Sequence, residues 1–236
     1  MRDGLASVFA VIAGCAACRS DAPEPPLPPP RDQPVAIAAC LGQFSATGVA
    51  TYYDATGIGS CSLEPERRVA ALSAADYDHA AWCGACLAVA GPLGEVVVRV
   101  VDQCPGCKHG DLDLSREAFA AIAPLSGGRT KVTWRIVACP VTGPVTYQIK
   151  RGSNAFWTAI QLRNHRTPIA RLEARDAQGA YRAIARGDDN YFVARGLGPG
   201  PYALRVRDIH GRVLDDAIAA GDGVARPGAA QFPDCP

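Results

Sequence analysis

Val96-Val-Val-Arg-Val-Val101 runs into Asp102, then into Cys104-Pro-Gly-Cys107 and Gly110-Asp-Leu-Asp-Leu-Ser115. The first six residues read as the most strongly apolar strand of the chain, and Lys131-Val-Thr-Trp-Arg-Ile-Val137 reads as a second. Two short helices interrupt the strands. Ser73 is placed to cap one through Ala74-Ala75-Asp76, and Ser115 to cap Arg116-Glu-Ala-Phe-Ala-Ala-Ile122. Gly-rich sequence with β-like runs and short helices predicts a small barrel with helical insertions over residues 40–140.

Outward from that unit, Pro140-Val-Thr-Gly-Pro144 reads as a hinge. Beyond it, within 141–236, short apolar runs at 145–150, 156–163, 169–175, 190–194, 202–207 and 212–217 are divided by Gly and Asp turns. This spacing predicts an all-β sandwich. On the N-terminal side, Ala22-Pro-Glu-Pro-Pro-Leu-Pro-Pro-Pro30 marks 16–39 as a semi-rigid linker of polyproline type. Residues 1–15 read as a secretion signal, with an apolar run far shorter than the about 20 residues needed to span a membrane. Ile12-Ala-Gly-Cys15 has the form of a lipobox, which would lipidate Cys15; ordinary cleavage near Ala17 is the other reading.

The chain has 236 residues, a net charge of +1 and 48% hydrophobic residues. That is enough apolar material for real cores, and the charge gives no sign of a nucleic-acid or strongly acidic partner. The ten cysteines fit an exported, disulfide-bearing protein. Cys83-Gly-Ala-Cys86 and Cys104-Pro-Gly-Cys107 also have the spacing of zinc ligands. His79, His109, His165 and His210 show no metal spacing and read as surface or turn residues. No cofactor is expected.

Two features bear on chemistry. In Phe156-Trp-Thr-Ala-Ile-Gln-Leu-Arg163, alternation puts Phe156, Thr158, Ile160 and Leu162 on an inward face. Trp157, Ala159, Gln161 and Arg163 fall on the wet face, as does Lys150 in its own strand. Trp157 is then either a contact surface, suited to the flat C–H faces of sugar rings, or a side chain covered by a neighbouring loop or domain. Asp102, at a strand end, and Asp113, before a helix, are candidate acids or hydrogen-bond acceptors. Asp113 also reads as a turn residue. Hydrolysis of a glycosidic bond needs a second carboxylate, roughly 6.5–9.5 Å away in inverting enzymes.

Taken in order, Gly48-Val-Ala-Thr-Tyr-Tyr53, Cys83-Gly-Ala-Cys86, Val101-Asp-Gln-Cys-Pro-Gly-Cys107 and Asp111-Leu-Asp-Leu-Ser115 resemble the double-psi β-barrel of expansins. Trp134-Arg-Ile-Val137, Pro140-Val-Thr-Gly143, Thr146-Tyr-Gln-Ile-Lys150 and Ala159-Ile-Gln-Leu-Arg-Asn-His165 resemble the junction and carbohydrate-binding module of bacterial expansins. The resemblance implies a mainly β chain: a six-stranded double-psi barrel followed by an immunoglobulin-like β-sandwich. It also implies loosening of cellulose–matrix contacts without hydrolysis. The residues it singles out are Thr51, Tyr53, Asp102 and Asp113 on the barrel, and Lys150, Phe156 and Trp157 on the module. The module's third platform aromatic falls on Asp189, with Tyr191 as a substitute from the same strand face. The second catalytic aspartate of related family-45 endoglucanases falls on Ala55, with Asp54 one residue early.

By analogy with related barrels, the expected bridges are Cys61–Cys83, Cys86–Cys139 and Cys104–Cys107. Cys40 and Cys235 are left to pair with each other. The partner expected is plant or bacterial cell-wall polysaccharide: cellulose, matrix glycans or peptidoglycan. The protein is expected to be a monomer outside the cytoplasm, in contact with a membrane only through a lipid on Cys15, in the outer membrane. Two other functions fit the same residues: a peptidoglycan lytic transglycosylase or weak endoglucanase of the same barrel superfamily, and a wall-binding lectin with an inert barrel.

Overall fold

The structure is a computed structural model that describes residues 44–64 and 66–233. The expected signal, linker, lipid site at Cys15 and Cys40–Cys235 bridge lie outside the described residues. The first unit is built from β1 (Ser45–Tyr53), β2 (Val69–Ser73), α1 (Ala74–Tyr77), β3 (Cys86–Gly91), β4 (Gly94–Cys104), β5 (Leu112–Ser115), α2 (Arg116–Ile122) and β6 (Thr130–Val137). The six strands close into a barrel in the order β1-β5-β2-β4-β3-β6. Two of the pairs, β1 with β5 and β2 with β4, are parallel, which interleaves the two halves of the barrel chain.

The helices start where the serines place them. Ser73 Oγ accepts the Asp76 amide at 3.1 Å, and Ser115 Oγ accepts that of Ala118 at 3.4 Å. Ser115 also receives the Val69 amide at 3.2 Å and donates to Arg67 O at 2.8 Å, so one buried hydroxyl ties β5, α2 and β2 together. Leu72, Leu87, Val89, Val98, Leu112 and Leu114 fill the barrel, and α2 closes it with Ala118, Phe119 and Ile122. Among the described residues the bridges are Cys61–Cys83, Cys86–Cys139 and Cys104–Cys107, as expected. The cysteines with zinc-like spacing are therefore consumed in disulfides.

The second unit comprises β7 (Thr146–Ile149), β8 (Trp157–Arg163), β9 (Ile169–Arg175), β10 (Tyr181–Arg186), β11 (Phe192–Arg195), β12 (Tyr202–Asp208), β13 (Val213–Ile218) and β14 (Ala225–Pro227). It forms one sheet in the order β13-β12-β9-β10-β11-β8-β7-β14. Because β10 pairs with both β9 and β11, the sheet is continuous where two separate layers would be expected. It folds back on itself and is nearly closed. Tyr147 and Leu162 from one end share a core with Leu172, Leu204 and Val206 from the other. Asp216 of β13 joins the ends by accepting the Tyr147 hydroxyl at 2.7 Å and the Ala229 amide at 2.7 Å.

The two units meet across a polar seam. Gln161 Nε2 donates to Cys61 O at 2.8 Å, Tyr77 Oη to Asp188 O at 2.7 Å, and one Arg186 nitrogen to Ala80 O and Ala81 O at 2.8 and 3.0 Å. His165 is buried in this seam, contrary to its reading as a surface or turn residue. Its Nδ1 lies 2.9 Å from Thr167 O, and its ring packs against Gly84. A Cβ on Gly84 would lie 2.6 Å from His165 Nε2, and the local φ of +76° also favours glycine.

Candidate functional site

Strand register brings the barrel candidates into one line. Thr51 of β1 pairs with Asp113 of β5, Asp113 pairs with Ala71 of β2, and Ala71 pairs with Asp102 of β4. Paired residues in neighbouring strands point to the same face, so Thr51, Asp113, Ala71 and Asp102 form a row across four strands. Ala71 is the small residue between the carboxylates. Two strand spacings of about 4.8 Å put their backbones roughly 10 Å apart. Tyr53, two residues beyond Thr51, shares the face.

Each group has a distinct environment. Thr51 Oγ1 donates to Asp113 Oδ1 at 2.7 Å, which fixes that carboxylate and leaves it partly exposed. Asp102 Oδ1 accepts three donors, Ser60 N at 2.7 Å, Ser60 Oγ at 2.8 Å and Gln103 N at 2.8 Å. Asp102 thus anchors the loop after β1. Gly59 allows that loop to close, because a Cβ there would lie 2.7 Å from Asp102 Cγ. The Tyr53 phenol is pushed up to about 12, by burial first and then by the charges of Asp102 and Asp113, so it is a neutral hydrogen-bonding group. Asp111 is a turn residue: its Oδ1 accepts the Val49 amide at 2.8 Å and its Oδ2 that of Lys108 at 3.2 Å. Asp54 is exposed beyond the end of β1.

On the second unit, Phe156 corrects the expected alternation. Asn154 Oδ1 accepts the amides of Phe156 and Trp157 at 2.9 and 3.2 Å, so the chain is still turning there and β8 begins only at Trp157. Phe156 is 83% exposed rather than inward. Trp157 is half-buried beside it. Gln161, read as wet, is fully buried under the barrel. Tyr191 is only 7% exposed, so it offers no open stacking face as a substitute platform aromatic. It lies beneath Lys150, whose Nζ sits 4.4 Å from its ring centroid and 2.7 Å from Asp189 Oδ2. Lys150 comes from the β7 side, opposite Ala159 of β8, whereas Tyr191 and Asp189 precede β11 on the far side of β8. The lysine therefore reaches across β8, over the small side chain of Ala159.

The face of β8 leads from Trp157 past Lys150 to Gln161. Gln161 bonds Cys61 O, and the residue before Cys61 is Ser60, which holds Asp102. The two candidate surfaces are thereby joined through a few hydrogen bonds. Asn190 Nδ2 also donates to Cys61 O, at 3.4 Å, and sequence reasoning missed Ser60, Ala71, Tyr77, Gln161 and Asn190 as parts of this connection. Their places depend on strand register and on which face the barrel covers, and no local pattern records either.

Residues 45–134 match the family model described as lytic transglycolase, a double-psi barrel family. The chain is 36% identical over 204 residues to Expansin-YoaJ of Bacillus subtilis (strain 168), covering 79% of this chain and 86% of that protein. It is 28% identical to Expansin-like protein 1 of Dictyostelium discoideum, covering 70% of this chain and 63% of that one. The crystal structure of Clavibacter michiganensis expansin superposes with a TM-score of 0.74 at 33% identity, covering 80% of this chain and 99% of that one. A variant of that protein, crystallised in complex with cellohexaose, matches equally well in TM-score.

Proposed function

We propose a function from one premise: this chain belongs to the expansin family. Its work is to loosen cell-wall polysaccharide networks by binding glucan chains, without cutting them. The observation that carries this is the continuity of two unlike surfaces. A polar row of Thr51, Asp113 and Asp102 on the barrel is joined through the seam to an open aromatic edge at Phe156 and Trp157. The cellohexaose complex of the Clavibacter relative gives the ligand class, a β-linked glucan.

Phe156 and Trp157 stack on sugar rings and hold the module to the wall. The Thr51–Asp113 pair and Tyr53 hydrogen-bond a neighbouring chain in a twisted geometry, which weakens its lateral contacts. Hydrolysis is disfavoured because, among the described residues, the place of the family-45 base is Ala55 and the neighbouring Asp54 is exposed. The protein works outside the cytoplasm, where the three bridges among its described residues are stable. Cys15 anchors it through a lipid.

The test is creep of cellulosic wall strips under load, with reducing-sugar release measured in parallel. The wild-type chain is expected to extend the strips without releasing sugar. Asp113→Asn is expected to lose at least about tenfold in extension, the effect of a single functional hydrogen-bonding charge, while binding the same strips. Extension undiminished in that variant refutes the role of Asp113. The match to the lytic transglycolase family favours one second reading, cleavage of peptidoglycan. Release of anhydromuropeptides from purified sacculi would decide for it.

A further inference from the structure

The glycan face of the second unit carries an ion pair in its middle. Lys150 and Asp189 are 2.7 Å apart, with side chains 41% and 45% exposed, between half-buried Trp157 and the seam. The lysine is also held over the Tyr191 ring at 4.4 Å. Asp189 is itself fixed, since its Oδ1 accepts the Tyr191 amide at 3.3 Å. A free ammonium in this position would be a point attractor for carboxylates on any polymer lying along β8. Here that charge is answered inside the protein. Both side chains stay partly exposed, so the pair offers a ligand a donor beside an acceptor. That combination suits sugar hydroxyls, which are both at once.

We propose that Asp189 sets the charge specificity of this surface. By neutralising Lys150 it selects uncharged glucans and selects against anionic wall polymers such as polyuronates. The second half of the chain carries more arginine and lysine than acid, so it would attract anionic polymers without regard to shape. A carboxylate at this one point penalises a carboxylate on the ligand, a form of discrimination by repulsion. This inference rests on the reading of the face as a glycan-binding surface.

The test uses the full chain and two probes, insoluble cellulose and soluble polygalacturonate. Affinity is measured for the wild type, Asp189→Asn and Asp189→Glu at low and high salt. Asn preserves the acceptor for the Tyr191 amide, so the turn is retained. In Asp189→Asn, the ratio of polygalacturonate to cellulose affinity is expected to rise about fivefold at low salt, the size of one partly exposed ion pair. The gain should vanish in about 1 M salt, where charges are screened within about 3 Å, and Asp189→Glu should restore the wild-type ratio. An unchanged ratio in Asp189→Asn, a gain that survives high salt, or an Asp189→Glu variant that behaves like Asn overturns the proposal. If the wild type fails to bind cellulose, the glycan reading itself fails, and the salt-sensitive change in polygalacturonate affinity alone then decides the role of Asp189.

Discussion

Enclosed between the barrel and the second sheet, the imidazole of His165 is lowered to about 3, chiefly by burial and then by the nearby Arg99, with the bond to Thr167 O opposing. In an unfolded chain its pKa returns to about 6.5. Between those values the unfolded chain binds a proton that the folded chain refuses, so stability falls as pH falls. Above about pH 6.5 the effect is flat; below it the slope approaches about 1.4 kcal/mol per pH unit. Urea unfolding at pH 7.0 and 5.5 should therefore show a loss in the wild type that His165→Gln lacks, whatever its baseline stability. Equal losses in both proteins would mean that the seam is not closed around a neutral imidazole. This residue also shows a limit of reading residues singly. Nothing in Arg163-Asn-His-Arg-Thr167 marks a buried ring, because the side chain is covered by the barrel glycine Gly84 rather than by its own sheet.

Among the elements, the bridges differ in what they constrain. Cys86–Cys139 ties the start of β3 to the residues after β6 across a separation of 53, whereas Cys104–Cys107 closes a turn with a separation of 3. In the chain-entropy model the longer loop contributes about 4 kcal/mol and the shorter about 2 kcal/mol. Serine pairs replacing each bridge should separate by that difference in guanidinium melts, and a larger loss for the Cys104–Cys107 pair would refute it. The strands themselves were legible where composition was decisive. Val96–Val101 and Lys131–Val137 lie inside β4 and β6, and both serine caps start their helices. Strand β10 was missed because four of the six residues in Tyr-Arg-Ala-Ile-Ala-Arg are alanine or arginine, a composition with little β signal, and its pairing is imposed by β9 and β11. Strand β14 is three residues ending in proline and exists only as an edge on β7. Alternation misassigned Phe156 because the strand began one residue later than the apolar run. It misassigned Gln161 because the outer face of β8 has a second cover, the barrel.

At the scale of the whole molecule, the proposed activity needs both surfaces to hold one wall region together. A second contact made by a tethered surface acts at an effective concentration set by the tether, and a rigid seam of correct geometry maximises it. The seam here depends on Arg186. Its guanidinium donates to Ala80 O and Ala81 O, reaches Ile169 O, and lies 4.6 Å from the centre of the Phe192 ring. The barrel turn it grips contains three consecutive non-glycine residues with positive φ, Asp78, His79 and Ala80 at 41°, 51° and 65°. Such backbone costs about 1–3 kcal/mol per residue and persists only where its surroundings hold it. Tyr77, whose hydroxyl bonds Asp188 O, begins this turn, and its phenol is raised by burial first and then by the charges of Asp102, Asp188 and Asp189. Arg186→Met retains volume but removes every donor, and should cost about 3 kcal/mol, in the range for lost hydrogen bonds from a charged group. Calorimetry is expected to show one transition in the wild type and two in the variant, as the units uncouple. Cellulose binding should persist in Arg186→Met, since Phe156 and Trp157 are untouched, while wall extension falls to background. Full extension in a variant that melts in two steps would show that the surfaces work independently, and the seam would then be a structural convenience with no part in loosening.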